Sequence, residues 1–142
     1  MPVVKRQALV AQAPERMFGL VNDVENYPVY FTWCRQVDIL EQSVDRMAAR
    51  LHVRAGGIEF SFATRNILSP PDHIHLDMLE GPLRYLKGDW TFRPYGDGGC
   101  RIDLVLDFEP KSRLFGLATT LAFQALADRL VQDFTTVAVS DA

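Results

Sequence analysis

The chain has 142 residues, 48% of them hydrophobic, with 15 Lys plus Arg against 18 Asp plus Glu and a net charge of -3. A chain of this size can bury roughly two thirds of its unfolded surface in one core, and its composition excludes disorder, a collagen repeat and a disulfide scaffold. The acidic balance argues against DNA as a partner, because neutralising phosphates along a duplex needs a basic footprint.

In chain order, residues 3–10 read as a weak strand. After Ala13-Pro14, residues 15–22 carry a helix, with Pro at its start, Glu15 in the first turn and apolar Met17, Phe18, Leu20 and Val21. A short helix or turn follows over 24–27, before Pro28. Residues 35–42 and 47–54 read as two strands joined around Ser43-Val44-Asp45.

Four clearer strands show a period of two. Ile58, Phe60 and Phe62 alternate with Glu59, Ser61 and Ala63, and Ile74, Leu76 and Met78 with His73, His75 and Asp77. Leu86, Gly88, Trp90 and Phe92 alternate with Tyr85, Lys87, Asp89 and Thr91, and the run from Cys100 through Phe108 repeats the pattern. Gly56-Gly57 suits a two-residue hairpin and Gly96-Asp97-Gly98-Gly99 a longer one, so the connections are antiparallel. The last stretch, 112 to about 139, predicts a helix long enough to cross the domain. Its apolar surface runs nearly all round and asks to be covered on more than one side. The order predicts an α+β fold: a curved antiparallel sheet of about seven strands around a long C-terminal helix, with short helices after the first strand. No repeat or linker divides residues 1–142, which read as a single domain.

Cys34 and Cys100 lie far apart with no ligand spacing beside them, and read as buried apolar residues in a reducing compartment. The apolar stretch at 8–11 is too short for a signal-peptide core, and no run approaches the ~18 residues of a membrane span. A cytoplasmic setting is expected, with any membrane contact peripheral at the inner face.

No catalytic constellation stands out. Cys34 has no identifiable His partner, and the acidic stripe Asp103, Asp107 and Glu109 suits a solvated strand face. His73 and His75 share a strand face, and His52 is the candidate to join them from a neighbouring strand. No third ligand or supporting shell is evident, so neither a metal nor a resident cofactor is expected.

Three separated motifs carry a resemblance. They are Tyr27-Pro28-Val29-Tyr30-Phe31-Thr32-Trp33-Cys34, the segment Gly81-Pro82-Leu83-Arg84-Tyr85-Leu86 running on to Trp90-Thr91-Phe92, and Leu130-Val131-Gln132-Asp133-Phe134, with Cys100 through Glu109 as the last strand. In this order the chain resembles the coenzyme Q-binding START-like family, within the polyketide cyclase/dehydrase-like helix-grip superfamily, and its bacterial ribosome-association toxin branch. Thr32, Leu83, Pro110-Lys111 and Val137 depart from the family pattern.

The resemblance implies a helix-grip fold and a non-catalytic site for a hydrophobic small molecule, ubiquinone or a related isoprenoid lipid, in support of respiratory quinone function. The expected lining is Phe60, Phe62, Met78, Leu86, Trp90, Leu104, Leu106 and Phe108 from the strands, with Leu117 and Leu121 from the helix, and Leu76, Phe92 and Leu126 share the same inward faces. Tyr30, Phe31 and Trp33, in the loop after Pro28, are expected either to act as a lid or membrane-interface cluster or to be anchored inside as a cap on the sheet, and Tyr27, Tyr30 and Arg84 to meet a head group. Two alternatives follow from the same resemblance: a toxin that binds the large ribosomal subunit through surface arginines and blocks subunit association, and a polyketide cyclase-like enzyme.

Overall fold

The computed structural model describes residues 3–114 and 116–140. Strand β1, Val3–Val10, leads into helix α1, Pro14–Asn22, opened by a proline whose missing N–H has no partner to lose in a first turn. A 3-10 turn over Val24–Asn26 runs into the short helix α2, Tyr27–Tyr30, so Tyr30 is helical, while Phe31 and Trp33 lie in the loop that leads to the next strand. Strands β2 Cys34–Gln42, β3 Arg46–Ala55, β4 Ile58–Ser69, β5 His73–Glu80, β6 Leu83–Tyr95 and β7 Gly99–Pro110 follow, and helix α3, Gly116–Ser140, closes the chain.

The seven strands form one sheet in the order β1-β7-β6-β5-β4-β3-β2, every neighbouring pair antiparallel. Helix α3 touches β1 and β7 on one side and β3 near the other edge, which a sheet permits only by curling around the helix. Gly56 and Gly57 both hold positive φ, +59° and +81°, as a two-residue turn between twisted strands requires. Gly56 also lies against the helix: a Cβ there would stand 2.8 Å from Ala122 Cα.

Two boundaries move furthest. β4 runs on past Ala63, because Thr64, Asn66 and Leu68 continue the inward alternation against Arg65 and Ile67. α3 starts at Gly116 rather than 112, since the Lys111 backbone N–H is held by the Pro82 carbonyl at 3.4 Å and keeps the chain in a loop.

Candidate ligand site between the sheet and the C-terminal helix

Helix α3 carries two aromatic anchors, Phe123 and Phe134, eleven residues or roughly 16 Å apart along its axis. Phe134 meets Tyr27, Phe31 and Trp90 at centroid distances of 5.4, 4.9 and 5.7 Å. Phe123 meets Phe60, Phe62 and Phe108 at 5.0, 5.5 and 5.5 Å. Between the clusters lies a cavity of about 70 Å³, with Trp33 and Trp90 on its wall, Phe62 and Phe123 at one end and Leu126 and Leu130 from the helix. That is room for a few water-sized groups, well below the ~300 Å³ at which drug-sized pockets begin.

Of the predicted site residues, Trp33, Phe62, Leu86, Trp90, Leu104 and Leu106 border this cavity. Phe60 and Phe108 sit one layer out, packed on Phe123, and Met78 lies by Gly81 and Phe62. Leu117 and Leu121 require correction. They are 74% and 51% exposed, because the face that α3 turns inward runs through Ala122, Phe123, Leu126 and Ala127. Reading a helix that is apolar all round left its orientation undetermined, and Phe123, Leu130, Leu51 and Ala49 were missed as lining. At Gly88 the side chains of Leu76 and Leu106 lean over the backbone to within 2.9 and 2.7 Å of a Cβ position, so the missing side chain adds no volume to the cavity.

The aromatic segment is interior. Phe31 and Trp33 are each 3% exposed and stack at 4.9 Å, while the half-buried Tyr30 donates its hydroxyl to Asp23 at 2.9 Å. These contacts anchor the segment, so of the two readings the anchored one holds, and the segment is a wall of the core and not a lid or membrane-interface surface. Trp33 donates its indole N–H to Asp133 of α3 at 2.9 Å. Of the expected head-group partners, Arg84 is exposed, and the Tyr27 hydroxyl is spent on the Val21 carbonyl. Burial pushes the Tyr27 pKa well above the ordinary phenol range.

Polarity inside the cavity comes from Thr64 and Asn66, a pair that the apolar pattern passed over. Thr64 donates to the Asn66 carbonyl oxygen at 3.1 Å, which leaves the Asn66 NH₂ group as a donor at the wall. Tyr27 is the one titratable group among the described lining residues. Cys34 is buried, its thiol pushed up to about 11 by desolvation, a poor nucleophile.

The remaining polar chemistry lies on the outer face of the sheet. His73 and His75 both reach Asp89 Oδ1, at 2.7 and 2.9 Å, and His75 also meets Asp77 at 3.0 Å. His52 is on β3, separated from β5 by β4, and therefore does not join them; it bridges Asp38 at 2.9 Å and Ser61 at 2.7 Å. Asp103 pairs with Arg101 and Asp107 accepts from Tyr85, as members of a solvated strand face. Among the described residues no helix is long and apolar enough to cross a membrane.

Comparison with known proteins agrees with this architecture. Residues 10–135 match the family described as polyketide cyclase / dehydrase and lipid transport. The ribosome association toxin RatA of Escherichia coli strain K12 is 40% identical over 135 residues, covering 95% of this chain and 85% of that one. The mitochondrial coenzyme Q-binding protein COQ10 of Drosophila melanogaster is 25% identical over 133 residues, 91% of this chain and 55% of that protein. The crystal structure of the Zhui aromatase/cyclase from Streptomyces sp. R1128 shares the fold at a TM-score of 0.88 and 19% identity, covering 96% of this chain and 93% of that one. A seven-stranded sheet gripping one long helix around an apolar cavity, matched by the family model over most of its length, places this chain in the polyketide cyclase / dehydrase and lipid transport family.

Proposed function

We propose that the protein is a non-catalytic binder of a hydrophobic small molecule, an isoprenoid quinone or a lipid of that kind, held between the sheet and α3. The observation that carries this reading is the cavity between the Phe123 and Phe134 clusters, apolar except at Thr64 and Asn66. The polar corner suits a carbonyl accepting from the Asn66 amide, and each buried methylene of a tail would add about 0.8 kcal/mol. A complete quinone needs more room than the cavity offers, so binding widens it. A cyclase would need a general acid or base facing its substrate. The lining offers only Tyr27, already bonded, which favours binding over catalysis.

Both tryptophans of the chain line the cavity and supply the test. Titration with a short-tailed ubiquinone should quench their fluorescence saturably, and Ala49→Phe, which fills the cavity, should abolish saturation. Quenching that is linear, or identical in the folded variant, would exclude this site.

A second reading has its own support: the 40% identity to a protein named for ribosome association. Of the arginines suited to that role, Arg50 pairs with Glu80 and Asp38, and Arg65 with Glu41 at 3.3 Å. Arg46, Arg54, Arg84 and Lys87 are exposed and outside ion pairs among the described residues. Binding to the large ribosomal subunit through them would weaken steeply with salt in cosedimentation. Cosedimentation that is absent or indifferent to salt would contradict it.

A further inference from the structure

The start of α3 is apolar on two sides. Ala122, Phe123, Leu126 and Ala127 face the core, while Leu114, Leu117 and Leu121 are 83, 74 and 51% exposed, with Ala118 beside them. Soluble helices carry charge on an outward face. Here residues 116–127 contain no charged side chain, and the charges just before them, Lys111 and Arg113, are both positive. Both are exposed, and neither enters an ion pair among the described residues. The amino end of the helix adds partial positive charge at the same place. Of the carboxylates on the flanking strands, Glu59 and Glu80 are occupied by Arg35 and Arg50, and Glu109 is half-buried on β7.

We propose that this end of the molecule docks on a lipid bilayer carrying anionic headgroups. Leu114, Leu117 and Leu121 enter the boundary between headgroups and acyl chains, and Lys111 and Arg113 meet the headgroup charge. Side chains this exposed stand clear of their neighbours, which suits a fluid surface that closes around them; a protein partner would need a socket shaped to each. Positive charge gathered beside the leucines is complementary to an anionic surface, whereas a two-fold pairing of this face with itself would set Lys111 and Arg113 against their own copies. The proposal goes beyond the cavity reading and does not depend on it, since docking needs no ligand inside.

The test is flotation of the full chain with phosphatidylcholine vesicles, with and without roughly one third phosphatidylglycerol. The protein should float with the anionic vesicles and largely stay behind with the neutral ones. Leu117→Gln with Leu121→Gln, both on the surface and compatible with folding, should lower the bound fraction roughly tenfold. Lys111→Glu with Arg113→Glu should remove the preference for anionic lipid. Absence of flotation, or flotation unchanged in both variants, overturns the proposal. So does a dimer seen by light scattering that the leucine variant dissolves while vesicles bind nothing, because the face would then belong to a second copy. Fluorescence titration of the cavity is read on the same samples, so failure of either reading is seen separately.

Discussion

The Trp33 indole N–H and the Asp133 carboxylate meet at 2.9 Å across one hundred residues of sequence, and Arg129 approaches the same carboxylate at 3.1 Å. This contact joins the segment after α2 to the closing helix at the wall of the cavity. Asp133→Ala leaves a buried indole donor without its acceptor and should lower stability by about 1–3 kcal/mol. Asp133→Asn keeps an acceptor and should lose less. Urea unfolding of the two variants checks the order, and equal losses would show that the hydrogen bond contributes nothing.

Ala49 lines the cavity and is buried. Ala49→Leu should place methyl groups in the void and raise stability by up to about 1 kcal/mol, while ligand retention falls. Opposite signs in the two measurements distinguish cavity filling from overpacking, which would lower both. Thermal melting and ubiquinone titration on the same preparation decide it.

Gly56 combines a φ of +59° with the Ala122 backbone 2.8 Å from its missing Cβ. A side chain there meets main chain that cannot swing aside. Gly56→Ala should therefore cost more than about 1 kcal/mol. Gly57→Ala, at φ +81° with no atom nearby, should cost only the backbone term. Chemical denaturation of both variants separates the close approach from the turn conformation.

The Asp89 carboxylate beside His75 raises the pKa of this imidazole, with Asp77 assisting and partial burial opposing. A raised folded-state value means stabilisation that is complete below the ordinary histidine pKa of about 6.5 and is lost as pH rises through the folded value. Melting temperature should fall from about pH 6 to about pH 8 relative to His75→Asn, whose curve should be flatter over this window. Parallel curves would contradict the coupling.

The fold was legible because its strands alternate cleanly. Trp90, Leu104 and Leu106 face inward as their period of two demands. The helix was harder to orient. Leu117 and Leu121 are apolar like Phe123 and Leu126, so no sequence contrast selects a face, and only the sheet's curvature decides which side is covered. The Thr64–Asn66 pair went unnoticed because polar residues on an inward face break the apolar pattern used to find the wall. The aromatic residues around Trp33 resembled a lid in sequence, but their partners on α3 lie far along the chain and cannot be read locally.

The most direct measurement is native mass spectrometry of the freshly purified protein, followed by denaturation, organic extraction and identification of what is released. An apolar molecule of quinone or lipid character should be released in stoichiometric amount, and should be lost from the folded Ala49→Phe variant. Protein that arrives empty and stays empty after exposure to excess isoprenoid quinone would contradict ligand binding in the cavity.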